Sequence, residues 1–301
     1  MEQPSEPEAT SPFPASLPRH VLFVVLAGLL LVGACRPTGS EDTLTAVRRT
    51  GELRYGSDKE GGGPYAFPDP KNPATETGFE VELMARLSRV LGVRPIFAQG
   101  QWDTLLQNLA TRRVDVVING YEWTPARARD YLATRPYYVY QLQVLAKKGG
   151  PIAGWADLER PKPDGSKWRV GVLGGSAAEF FARDHGAGAV EVVSYTGATD
   201  AMLSVTNGQL DATLQDLPAA RFYRAHYPAL DLVGPPVGQG YYVLYLRRGD
   251  DALCAALNTA IDRLVRSGEL RELYERYDIW TDAQTELAGW TPDRLPASSG
   301  Q

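Results

Sequence analysis

Apolar positions along this chain follow two alternating rhythms. Some form short β-branched or aromatic runs, and others recur at every third or fourth residue. The helical rhythm predicts helices over Leu44–Thr50, Gly78–Leu91, Ala177–Asp184, Asp200–Thr206, Asp251–Val265 and Glu269–Tyr277. In Gly78–Leu91, residues Phe79, Leu83 and Leu87 share one face, and Gly92 supplies the stop. A further helix, with Asp103 as its N-cap, carries Leu105, Leu106 and Leu109. The other rhythm predicts strands at Leu53–Gly56, Val93–Ala98, Val114–Ile118, Tyr137–Lys147, Trp168–Leu173, Val190–Tyr195, Leu210–Leu214 and Tyr241–Leu246. Strands alternating with helices imply βαβ units and mostly parallel sheets. Glycine and proline interrupt the pattern at Lys148–Pro151 and Gly234–Gly240. The expected fold is therefore α/β in two lobes, each a mostly parallel sheet flanked by helices. Residues 44–147 and 240–280 are expected in lobe one and residues 148–239 in lobe two. Two chain crossings then make a two-strand hinge, which suits closure around a ligand.

Composition adds limits. The 301 residues are 44% hydrophobic and 22% charged, enough for two lobes with a sizeable core. A net charge of −5 leaves no basic footprint for nucleic acid. Three histidines and two cysteines are scattered, so no zinc-type cluster or metal site is expected. Cys254 lies in a helical apolar pattern and reads as a core thiol.

The N-terminus stands apart. Val21–Val32 is apolar throughout but short of the roughly 20 residues of a membrane span. It fits the h-region of a secretory signal, and Gly33-Ala34-Cys35 resembles a bacterial lipobox with Cys35 as the lipidated residue. A plain signal peptide and an uncleaved anchor are the alternatives. Residues 1–35 are thus read as signal, 36–43 as tether and 281–301 as a C-terminal tail, loosely ordered at its end.

Candidate chemistry gathers at strand ends, where open α/β sheets bind small molecules. The run Val114–Ile118 stops at Asn119-Gly120, and a glycine there lets backbone approach a ligand. Tyr121, Glu122, Trp123 and Thr124 follow as pocket wall, and Thr124 caps a helical turn opened by Pro125. Arg127 lies on that first turn, where helix electrostatics do not favour a cation. Its planar fork matches a carboxylate; the other reading is a solvated surface arginine. Asp103-Thr104-Leu105-Leu106 leading to Val114-Asp115 is echoed by Asp200-Ala201-Met202-Leu203 leading to Leu210-Asp211. The second strand ends at Gln215-Asp216, either pocket groups or simple strand-end packing.

Several motifs in order resemble the family-3 extracellular solute-binding proteins, the amino-acid receptors of ABC importers, over nearly all of Thr50–Trp280. Gly78-Phe79-Glu80-Val81-Glu82-Leu83 is similar to that family's helix start. Arg113-Val114-Asp115, Asn119-Gly120 and Thr124-Pro125-Ala126-Arg127 resemble its central block. Arg135-Pro136-Tyr137-Tyr138, Val170-Gly171-Val172 with Gly175-Ser176, Gly208-Gln209-Leu210-Asp211-Ala212 and Gly268-Glu269-Leu270 continue the match. The resemblance implies the two-lobed periplasmic-binding-protein fold and assigns roles. Asp58 contacts the ligand side chain, Tyr65 lies in an aromatic loop, and Trp102 stacks on the ligand. Gly120 offers backbone, Arg127 pairs with the ligand α-carboxylate, Ser176 and Ala177 present helix N-terminal amides to it, and Asp216 receives the α-ammonium. Glu122 stands where that family has threonine or serine. Its carboxylate could neutralise Arg127 or bind a ligand amine, and with Asp58 it weights the ligand toward a polar or basic amino acid.

The function so implied is an extracytoplasmic, lipid-anchored receptor that breaks no bond and needs no cofactor. Its partners are a free amino acid, an ABC permease and, through the lipid, the membrane; the chain is expected to act as a monomer. The alternative is an enzyme resembling cyclohexadienyl dehydratases, with Glu122 as general acid.

Overall fold

The computed structural model describes residues 41–59, 62–186 and 188–291. The expected signal segment and Cys35 lie outside them. The chain opens with α1 (Thr43–Thr50), β1 (Glu52–Ser57), a hairpin of β2 (Phe67–Asp69) and β3 (Asn72–Thr77), α2 (Phe79–Leu91) and β4 (Arg94–Gln99). Then come α3 (Leu105–Ala110), β5 (Val116–Val117), α4 (Pro125–Asp130) and β6 (Tyr131–Ala133). The middle holds β7 (Tyr138–Lys147), α5 (Trp155–Leu158), β8 (Trp168–Leu173), α6 (Ala177–His185), β9 (Val190–Tyr195), α7 (Ala198–Thr206), β10 (Ala212–Asp216) and α8 (Leu217–Arg224). Last are β11 (Leu230–Tyr242), β12 (Tyr245–Arg247), α9 (Asp251–Ser267), α10 (Glu269–Arg276) and a 3-10 segment at Asp282–Gly289.

Local chemistry sets many of these ends. The Asp42 side chain accepts from the Thr45 amide at the start of α1, and Gly51 closes that helix in the left-handed region at φ 71°. Gly92 closes α2 likewise, and Phe79, Leu83 and Leu87 on its inner face are buried. The loop expected over Lys59–Thr77 thus holds a hairpin.

The strands form two five-stranded sheets, ordered β4-β1-β5-β12-β6 and β11-β7-β10-β8-β9. β4, β1 and β5 run parallel, as do β10, β8 and β9. The other strands, β12 and β6 in the first sheet and β7 and β11 in the second, pair antiparallel. Each sheet is therefore half parallel and half antiparallel. Tyr137–Lys147 was expected to close lobe one. It lies instead in the second sheet, paired with both β10 and β11. A run of β-branched and aromatic residues says strand, but not which sheet will take it.

The crossings lie just before β7 and just after β11. There the Thr134 amide donates to the Leu244 carbonyl at 3.0 Å and the Tyr137 amide to the Tyr242 carbonyl at 3.0 Å. Gly234–Gly240, expected as a boundary, lies inside β11. The strand passes it with register shifts, with Gly234 at φ 67° and Gly238 at φ 60°. Tyr137, Tyr138, Tyr242 and Tyr274 are buried around the crossings and pack on Phe79 or one another. The tail, expected as an appendage, is docked along residues 282–289. Gln284 accepts from the Val139 amide at 2.9 Å and donates to its carbonyl at 2.7 Å, with Leu287 buried beside it.

Candidate functional site

A cleft opens between the two sheets at strand ends. It is bounded by Asp58, Tyr65, Trp102, Asn119, Gly120 and Glu122 from one side and by Ser176, Gln215 and Asp216 from the other. Among the expected site residues, only Arg127 and Ala177 do not line it.

The floor is built at the end of β5. Asn119 Oδ1 accepts from the Ser57 hydroxyl and, at 2.7 Å, from the Asp58 amide, which ties the ends of β1 and β5 together. The Asn119 carbonyl accepts from Trp102 Nε1 at 3.0 Å. Asp58 is also engaged, accepting from Gln99 Nε2 at 2.9 Å and from the Trp102 amide at 3.1 Å. Gly120 sits at φ 63°, where a Cβ would come within 3.0 Å of the Tyr65 ring, so only glycine fits. The Gly120 amide donates to Glu80 at 2.8 Å and is not open to the cleft. Burial pushes the Glu80 carboxyl up to about 8, against its bonds from Tyr137 and Gly120.

The wall beyond the floor is an ion pair. Thr124 caps α4 as expected, accepting from the Arg127 amide at 3.1 Å. Arg127 Nη1 then meets Glu122 Oε2 at 2.7 Å and the Glu122 carbonyl at 3.0 Å. Its guanidinium carbon lies 5.5 Å from the Trp102 ring centroid and 5.1 Å from that of Tyr121. Those two rings stack in parallel at 4.9 Å. The other Glu122 oxygen accepts from the Ala177 amide at 2.7 Å, at the start of α6 on the opposite lobe. Arg127 Nη2 also crosses, to the Gly175 carbonyl at 3.3 Å. Glu122 is 1% exposed and so is fully enclosed by these partners. Ser176 caps α6 through its hydroxyl and donates to the Leu173 carbonyl at 2.7 Å.

The opposite wall carries the second carboxylate. Asp216 ends β10 and accepts from the hydroxyls of Tyr242 and, at 3.3 Å, Tyr65. Its other oxygen, Oδ1, is buried without a partner. Burial first and the Glu122 charge second push its carboxyl up to about 7, against the two hydroxyl bonds. Gln215 beside it donates to Thr213 Oγ1 at 2.6 Å. Three carboxylates, from Asp58, Glu122 and Asp216, therefore line the cleft, and no lysine, arginine or histidine among the described residues does. No group of three His, Cys, Asp or Glu placed to hold a metal ion occurs among the described residues either.

Two parts of the site went unread. Tyr242 was taken only as strand. Thr196, Gly197 and Ala198, at the end of β9 and the start of α7, also line the cleft. The rule that ligands sit at strand carboxyl ends, applied to Val190–Tyr195, would have found them.

The lobes are closed on each other beyond the carboxylate bridge. The Gly63 amide donates to the Tyr223 hydroxyl at 3.2 Å, and the rings of Phe67 and Phe222 lie 5.0 Å apart.

Known proteins resemble this chain in sequence and fold. The L-cystine-binding protein TcyJ of Escherichia coli is 31% identical over 268 residues, which span 87% of this chain and 96% of that protein. The histidine-binding periplasmic protein of Salmonella typhimurium is 27% identical over 241 residues, 75% of this chain and 87% of that one. Among solved structures, the ancestral amino acid-binding protein AncCDT-1, a precursor of cyclohexadienyl dehydratase, matches with a TM-score of 0.69 at 26% identity. That match covers 78% of this chain and 99% of the other. A profile of the bacterial extracellular solute-binding proteins, family 3, matches residues 53–279. With most of its length matched in order and a relative above three-tenths identity, this chain belongs to family 3 of the bacterial extracellular solute-binding proteins.

Proposed function

We propose that the chain is an extracytoplasmic receptor that closes two lobes on a small amine-bearing solute and hands it to an ABC permease. The solute is a polar or basic amino acid or a close chemical relative of one. The observation that carries this reading is Asp216: a half-buried residue of the cleft whose carboxylate has one oxygen buried and unpartnered. A buried acceptor left without a donor costs free energy that a ligand ammonium recovers. Cystine and histidine, named for two relatives, are both amino acids. In this reading Trp102 and Tyr65 are aromatic walls, and Asp58 faces the ligand side chain. Residues up to Cys35 act as a secretion signal and lipid anchor, tested by membrane retention of the expressed chain. Residues around 134–137 and 242–244 act as the hinge between lobes. Binding energy goes into closure, and no bond is broken. A dehydratase acid needs a proton to give, whereas both Glu122 oxygens accept from N–H donors. The test is calorimetric titration of the full chain in detergent with the twenty amino acids and their decarboxylated amines. Binding by at least one compound, weakened about a hundredfold in Asp216→Asn, is expected. No binding by any compound overturns the receptor reading.

A further inference from the structure

Most charged side chains of the cleft are already paired, and the buried side-chain atom left without a partner is an acceptor. The two groups shaped for a carboxylate are the Arg127 guanidinium and the amide at the start of α6. Both are filled by Glu122, one at each of its oxygens, at 2.7 Å and 2.7 Å. The Glu122 side chain reaches these partners from β5's own continuation, with 2% of its surface exposed, so it is enclosed in the wall. The Ser176 hydroxyl is spent on the Leu173 carbonyl and the Gly120 amide on Glu80. What is left over is an acceptor, Asp216 Oδ1, buried and without a partner.

A zwitterionic ligand would bring its own carboxylate to a wall whose anion seat holds one already. Like charges at such range repel, and more so where water is excluded. A cation without that carboxylate escapes this repulsion and still has the unpartnered Asp216 oxygen to meet.

We propose that this receptor takes small amine or guanidine cations that lack the carboxylate of an amino acid, with Glu122 standing permanently in that carboxylate's place. The inference rests on the receptor reading and names its substrate class. Asp216 holds the ammonium, with the hydroxyls of Tyr65 and Tyr242 fixing its second oxygen. Glu122 bridges the lobes itself, so the closed arrangement needs no anionic group from the ligand. The chemical class is that of decarboxylated amino acids. Their supply requires a reaction that removes carbon dioxide from an amino acid.

The test compares matched pairs on the purified full chain in detergent: L-arginine with agmatine, L-lysine with cadaverine, and L-histidine with histamine. Calorimetry is run on the wild type and on Glu122→Thr, which empties the anion seat while keeping a small polar side chain. Circular dichroism checks that the variant is folded. The expected result is that at least one amine binds the wild type about tenfold or more tightly than its amino acid, and that Glu122→Thr reverses the order. Tighter binding of the amino acid by the wild type overturns the inference and leaves the receptor reading standing. So does a wild type that binds neither member of any pair while Glu122→Thr binds amino acids, because Glu122 is then a latch that the true ligand displaces. Silence from both proteins toward all six compounds overturns the inference, and the receptor reading falls with it only if the titration with all twenty amino acids and their amines is silent too.

Discussion

The two walls of the cleft carry the same functional group in opposite states. Glu122 has a guanidinium on one oxygen and a helix N-terminal amide on the other. Asp216 has two tyrosine hydroxyls on one oxygen and nothing on the other. Both carboxylates have oxygens shielded from solvent, so burial alone does not say which one is structural and which is open to a ligand. The partner count at each oxygen does. Of the two cleft acids, the one with both oxygens satisfied by positive or N–H donors holds the lobes together, and the one with an orphan oxygen can still take a donor; Glu80 also has an unpartnered oxygen but lies outside the cleft lining.

The comparison is broken most directly by stability measurements. Glu122→Leu leaves the Arg127 guanidinium enclosed without its anion and is expected to cost about 3–5 kcal/mol in urea unfolding. Asp216→Asn, measured in parallel at pH 8, removes a carboxylate with an unmet lone pair and is expected to leave stability unchanged or raise it. Equal losses at the two sites would erase the distinction.

A smaller effect sharpens the Asp216 side. Its carboxyl is pushed up to about 7 in this closed arrangement, held up by burial and by the Glu122 charge while the Tyr65 and Tyr242 hydroxyls pull the other way. A cationic ligand selects the ionised form. Binding is therefore expected to weaken as pH falls, by about tenfold between pH 8 and pH 6, or about 1.4 kcal/mol. The free chain is expected to show the converse in unfolding measurements: with its pKa raised on folding, Asp216 stabilises most at low pH, and that contribution is lost as pH rises through about 7. Calorimetry at several pH values reads the first effect, and a flat profile in Asp216→Asn assigns it. A profile unchanged in that variant would put the titration elsewhere.

The smallest expected change sharpens the filled wall. Thr124→Ala removes the cap that sets the first turn of α4 and with it the position of Arg127. It is expected to cost about 1 kcal/mol in the same unfolding assay. The pH profile of binding should not move, since Asp216 is on the other wall.

Much of this was legible before any coordinates. β8 and β9 end where their apolar runs end, because Gly174 and Thr196 interrupt a β-prone stretch. Thr124 and Pro125 announced a helix start, and the cap bond is there. Asn119-Gly120 and Gln215-Asp216 were read as strand-end groups, and all four line the cleft. What stayed hidden depends on partners far away in the chain. α8 went unread although Pro218 opens it, and the second crossing vanished behind the glycines and prolines of β11. Arg127 reads as open to a ligand carboxylate, and Glu122 as a neighbour that neutralises it, binds a ligand amine or acts as a general acid. Whether that neighbour reaches the guanidinium, and whether its second oxygen finds an amide across the cleft, is a matter of lobe placement.

By itself, the order of residues determined the repeating helix and strand rhythm, the caps, and the family to which the chain belongs. These are local or cumulative properties, read within a few turns of chain or summed over many. Only the tertiary structure decided that one cleft carboxylate is spent and the other is not. That distinction rests in large part on contacts between residues 55 to 177 positions apart, Glu122 to Ala177 and Tyr65 to Asp216 and Tyr242. Packing of two sheets sets such distances, and no local pattern encodes them.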